Sequence, residues 1–117
     1  MQYRDFGGIG FRPSVLGFGA MRLPQLADGT AATDAAFARI DVETASAMLR
    51  RAVEAGVNYV DTAYPYHDGA SERWLGQALR VVAAELFGPG DNGLARLRSR
   101  LKVATKLPMF RVQSHDD

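Results

Sequence analysis

Three side chains in this sequence have the types and spacing of an acid–base unit. Asp61 and Tyr66 stand in the stretch DTAYPYHDG, residues 61–69, and Lys106 closes the run LKVATK, 101–106. A tyrosine phenol, with an ordinary pKa of about 10, is a poor proton donor near neutrality unless a nearby cation stabilises its phenolate. Lys106 can be that cation. Asp61 can hold the ammonium in place and keep it charged, the orienting part a third residue plays in many acid–base sites. Such a unit would protonate a developing alkoxide, and the reaction that needs this is reduction of a carbonyl by hydride from a reduced nicotinamide. A plainer reading stands beside it: an aspartate and a lysine at neighbouring strand ends often form an ordinary ion pair, and a loop tyrosine often only packs its ring. Tyr64 reads as a packing ring that could line a substrate pocket. His67 reads as a locally hydrogen-bonded loop residue, because one further histidine, His115, and no cysteine leave few ligands for a metal.

For the three to meet, the elements that carry them must converge. Residues 15–19 (VLGFG), 57–61 (VNYVD) and 101–106 are mostly apolar and rich in β-formers, as buried strands are. Between the first two, a helix is expected to start at Asp41 as N-cap and to end at Gly56 in a left-handed conformation. Val42, Ala45, Met48, Leu49, Ala52 and Val53 recur along it at three- and four-residue steps. Ser71 is expected to cap a second helix, whose Trp74, Leu75, Ala78, Leu79, Val82 and Leu86 mark one face, and Gly88 and Pro89 to end it. Residues 94–101 offer a further helical turn or two. Residues 2–12 alternate around Gly7, Gly8 and Gly10, which fits a capping hairpin, while 25–39 reads as a surface loop.

Strand, helix, strand, helix, strand is the order of parallel strands joined by right-handed crossovers, an α/β architecture. Functional groups in such folds gather at the carboxyl ends of the strands. Neighbouring strands lie about 4.8 Å apart there, which brings Asp61 and Lys106 within pairing reach. Periodicity alone leaves an open doubly wound sheet and a (β/α)8 barrel both standing. A dinucleotide-binding G-x-G-x-x-G lacks its third member, since Gly17 and Gly19 are followed by Arg22 and Leu23. The GAMR stretch, 19–22, reads as a strand exit with glycine for tight turning, or functionally as an arginine beside bare backbone that could meet a phosphate.

Composition narrows the partners. With 117 residues and 47% hydrophobic content, the chain has enough apolar material for one small core. Fourteen basic and thirteen acidic residues leave a net charge of +1, no broad field for nucleic acid or an anionic membrane. The absence of cysteine excludes disulfides, thiol nucleophiles and thiolate metal sites within these residues. The opening MQYRDFGGIGFRP has no unbroken apolar stretch, and no run approaches membrane-spanning length, so a cytoplasmic location is the expectation.

The run AGVNYVDTAYPYHDGASERWLGQAL, 55–79, resembles the aldo-keto reductase signature, in which a glycine-led strand ends in D-T-A and is followed by a loop tyrosine and an S-E-x-x-L-G-x-A-L helix. RDFGGIGFRPSVLGFGAMRLP, 4–24, and KVATKLP, 102–108, resemble the same family in the same order. The YPYH wording and the GFGAMRLP start are similar to the bacterial and archaeal branch that often carries a C-terminal ferredoxin-like segment. The resemblance implies a (β/α)8 TIM barrel that reduces aldehydes or ketones to alcohols with NADPH, of which residues 1–117 would be a partial domain: three strands, two crossover helices and a capping hairpin. It implies Tyr66 as proton donor, with Asp61 and Lys106 as its partners, and Gly19, Ala20, Met21 and Arg22, with Asp61, around the nicotinamide end of the cofactor.

The departures from the family pattern matter as much. The family's fourth catalytic residue, a histidine at the end of the next strand, has no counterpart, since His115 lies in the wrong place. The segment 81–100 is longer than the family's usual connection, and barrels of this type need about 250 residues. The chain therefore reads as the start of a barrel, expected to self-associate or to dock a complementary C-terminal polypeptide. A rival reading is a non-catalytic fragment or accessory protein that keeps the barrel start as a scaffold for interaction.

Overall fold

A computed structural model describes residues 1–27 and 35–108. Its centre is a parallel sheet of three short strands in the order β1 (Phe18–Gly19), β2 (Tyr59–Asp61), β3 (Lys102–Ala104). Phe18 pairs with Val60 and Val60 with Val103, and one step on Gly19, Asp61 and Ala104 lie abreast. The strands are shorter than their apolar runs because the flanking residues leave the ladder to make single bonds, Ala20 N to Asp61 O, Thr62 N to Ala104 O and Lys102 N to Asn58 O. Three carboxyl ends thus form one rim.

Helices α1 (Ala35–Ala38), α2 (Val42–Glu54), α3 (Ser71–Phe87) and α4 (Asp91–Arg100) supply the rest, with a 3-10 turn at Tyr66–Gly69. Asp41 caps α2, its carboxylate accepting from the Thr44 amide at 3.0 Å and from the Thr44 hydroxyl at 2.7 Å. At the other end Gly56, at φ 94°, lets its own amide reach Val53 O while the Val57 amide reaches Ala52 O, which satisfies two carbonyls the helix leaves open. Ala45 and Leu49 of α2, Trp74, Leu75, Ala78, Leu79 and Val82 of α3, and Leu97 of α4 close over Val60 as one core. The indole of Trp74 stacks on Phe18 of β1 at 6.5 Å, and its buried Nε1 has no hydrogen-bond partner among the described residues.

Four expectations need correction. Ser71 is not the N-cap of α3. That position is Ala70, with no side-chain bond, and Ser71 is drawn into the core to satisfy backbone and hydroxyl groups there. The stretch 25–39, of which 28–34 lie outside the described residues, is not all loop, since it contains α1 and its first residue, Gln25, forms an antiparallel bridge with Ile40. The opening hairpin closes more widely than 2–12, through Tyr3 opposite Ser14 and the bonds Arg4 N to Pro13 O and Val15 N to Gln2 O. The long segment after α3 holds a full ten-residue helix, α4, so the second crossover contains two helices rather than one. They pack backbone to backbone at Gly93, where a Cβ would be driven into the Gly88 carbonyl oxygen. No helix among the described residues is long and apolar enough to cross a membrane.

Candidate active site

The rim gathers the three residues singled out from the sequence. Asp61 is the last residue of β2, and Lys106 follows β3 by two positions, so its side chain can turn back across the neighbouring strand. Lys106 Nζ lies 2.7 Å from Asp61 Oδ1 and 2.8 Å from Oδ2, donates to Thr62 O at 3.0 Å, and stands 3.3 Å from Tyr66 Oη. It also lies 5.0 Å from the centre of the Tyr66 ring. The hydrogen bond to Asp61 raises the lysine pKa above its ordinary 10.5, partly opposed by desolvation. The ammonium is therefore held charged across the physiological range. About half of its side chain stays open to solvent, which leaves a path for a substrate.

Backbone geometry brings Tyr66 to this cation. The chain leaves β2 through Thr62 and Ala63, both buried, and Pro65 opens the 3-10 turn. His67 and Asp68 then take left-handed backbone angles, φ 52° and 53°, before Gly69 at φ 88° leads into α3. Left-handed angles at successive non-glycine residues are strained, and they persist only where the surroundings over-determine them. Part of that restraint is an ion pair, Arg39 to Asp68 at 3.5 Å.

Below the rim lies a layer of bonds that the sequence alone did not disclose. The Ser71 hydroxyl donates to Ala20 O at 3.1 Å and lies 2.9 Å from the Thr62 hydroxyl, all within the buried interior. Next to it, Glu72 accepts from the Thr105 hydroxyl. The first turn of α3 thus binds the exits of β1, β2 and β3 at once. A serine followed by an acid at a helix start was the available signal, but it reads as capping. Thr62, whose carbonyl receives the lysine, was hidden in the same way inside the D-T-A run.

The candidate cofactor residues fall beside this cluster. Gly19 is the strand partner of Asp61, and a Cβ placed on it would meet no atom within 4 Å, so the rim is open there to a flat ring. Ala20 is fully buried and its amide bonds Asp61 O, while Met21 and Arg22 stand exposed on the loop that follows. A recess of about 590 Å³ lies instead at the opposite ends of the strands, bounded by Gly56, Asn58, Phe87 and Leu101. The rim, where a carboxylate, an ammonium and a phenol converge, is the better candidate for chemistry. Tyr64 is exposed, and His115 lies outside the described residues.

The sequence pattern of the Aldo/keto reductase family matches residues 15–117. A protein of Oryza sativa subsp. japonica named probable voltage-gated potassium channel subunit beta is 36% identical over 109 residues, which cover 82% of this chain and 30% of the relative. One of the same name from Arabidopsis thaliana is 32% identical over 123 residues, covering 96% of this chain and 34% of its own length. The chain spans about a third of these relatives. Its three parallel strands and their helices form an open, partial piece of the (β/α)8 architecture that the family implies. On the extent of the match, its order along the chain and the sheet it folds into, this chain belongs to the aldo/keto reductase family.

Proposed function

We propose that residues 1–117 carry the catalytic rim of an NADPH-dependent carbonyl reductase, one that turns aldehydes or ketones into alcohols. The observation that carries this reading is the placement of one ammonium against both Asp61 oxygens and the Tyr66 hydroxyl. Tyr66 Oη donates its proton to the substrate oxygen as negative charge develops there. Lys106 stabilises the phenolate left behind, and Asp61 keeps Lys106 in position. When bound, the reduced nicotinamide supplies hydride; Gly19, Ala20, Met21, Arg22 and Asp61 would border its ring, and the open space over Gly19 fits that role. The activity is that of a whole barrel, and this chain spans about a third of the length of its relatives.

The test is carbonyl-dependent oxidation of NADPH, followed with an aromatic aldehyde on the chain and on the longest natural polypeptide that contains it. Tyr66→Phe is expected to lower kcat by about 10²–10⁴-fold, the usual worth of a positioned general acid, with KM for NADPH nearly unchanged. A Tyr66→Phe protein with undiminished kcat overturns the assignment. The names of the two plant relatives favour a second reading, an accessory subunit that retains the barrel start as a binding scaffold. That reading requires no NADPH oxidation with any carbonyl in the same assay.

A further inference from the structure

His67 takes no part in the acid–base cluster, yet it joins the two loops that flank it. Its Nε2 accepts from the Leu23 amide at 3.0 Å, and the Gln25 carboxamide nitrogen lies 3.2 Å from its Nδ1. The ring therefore spans 44 positions of sequence to grip the loop that follows β1. It also sits directly after Tyr66, in the left-handed pair of residues that needs outside restraint to persist.

We infer that His67 is a positioning residue, a proton-sensitive latch that ties the 21–25 loop to the turn bearing Tyr66. An amide N–H can be received only by an unprotonated ring nitrogen. The proton of the neutral ring is then on Nδ1, where the oxygen of the Gln25 carboxamide can receive it once that group turns. Protonation of Nε2 would set two donors against each other and release Leu23. Burial pushes the pKa of the ring down from 6.5, while the neighbouring Asp68 carboxylate and the Met21 backbone favour the protonated form. Among the described residues, the other charged groups on the surrounding elements include Arg39, paired with Asp68, Arg73 at the start of α3, held over the Phe37 ring, and Arg22 in the gripped loop itself. They also include Glu72 beside Arg73, bonded to Thr105, and Lys106 against Tyr66. Because the folded pKa is the lower one, the latch contributes fully above pH 6.5 and is lost as pH falls through the folded value. The inference rests on the proposed function only for what the loop does, since Met21 and Arg22 would border the nicotinamide.

Amide-exchange protection of Leu23, measured by NMR on the chain between pH 5 and 8, tests the latch without cofactor or turnover. In the wild type, protection is expected to fall by up to about tenfold per pH unit below the ordinary histidine pKa. His67→Gln, which keeps an acceptor and cannot titrate, should hold protection flat with pH. His67→Leu, with no acceptor, should leave Leu23 unprotected throughout, while unchanged Trp74 emission certifies that both variants fold. Equal protection in all three proteins, or no pH dependence in the wild type, overturns the latch. An NADPH titration by fluorescence separates the two ideas: affinity that follows the Leu23 profile supports both. Affinity that ignores a confirmed profile leaves the latch standing and overturns the placement of the nicotinamide against this loop.

Discussion

The rim of the sheet and the outer side of β1 are finished to different degrees. At the rim, every strand exit is tied: β1 and β2 through Ser71, β3 through Glu72 and Thr105, and the lysine through four oxygens of Asp61, Thr62 and Tyr66. Along the free edge of β1, a groove of about 530 Å³ runs between the strand and α2, lined by Met1, Leu16, Phe18, Met48 and Val57. Leu16 is 61% exposed there and Met48 47%. The polar chemistry is organised by contacts within one β/α unit and its neighbours, whereas the apolar surface asks for material from elsewhere. The Asp61–Lys106–Tyr66 cluster is thus fully hydrogen-bonded in a piece of fold whose apolar surface is still partly open.

Neighbouring residues of α2 give the strongest test of that contrast. Leu49 is fully buried and Met48 is not. Leu49→Ala should destabilise by about 2–5 kcal/mol, measured by urea unfolding, and Met48→Ala by no more than about 0.5 kcal/mol. Similar losses from both would mean the groove is covered in solution. Ser71→Ala addresses the rim itself. It leaves the Thr62 hydroxyl and Ala20 carbonyl short of a buried partner, which should cost about 1–3 kcal/mol, and it should lower the cooperativity between the loops without filling or emptying the core. Met48→Lys is expected to change stability as little as Met48→Ala, within about 0.5 kcal/mol. Its readout is association: sedimentation velocity should show less self-association than the wild type, since a charge would sit in the uncovered groove. Identical sedimentation of the two proteins would mean that the exposed apolar side does not drive contact between copies.

Much of this was legible because it is local or periodic. The stripe on α2, its Asp41 cap and its Gly56 stop depend on residues within a few positions of one another, and the alternation of strand and helix follows from the same pattern. The Asp61–Lys106 pair was readable because adjacent strand ends in a parallel sheet must lie close together. What escaped depends on partners far away. The hydrogen bonds of His67 to Leu23 and of Ser71 to Ala20 join loops 44 and 51 positions apart, and no spacing announces them. Ser71 was misread because a serine at a helix start usually caps it, yet here a buried carbonyl from β1 competes for the same hydroxyl. In α4 the stripe is short and its helix begins at DNG, a sequence with turn character, so its full length emerges only from packing on α3.

The close contact at Gly93 reaches beyond the α3–α4 hairpin in which it lies. Any side chain there would prise α4 from α3, and because α4 feeds directly into β3, the displacement would fall on the strand that leads to Lys106. A residue with no functional group of its own thus governs how closely the α3–α4 hairpin can seat beside β3. Alanine at that position would force the hairpin apart before it touched any side chain of the rim.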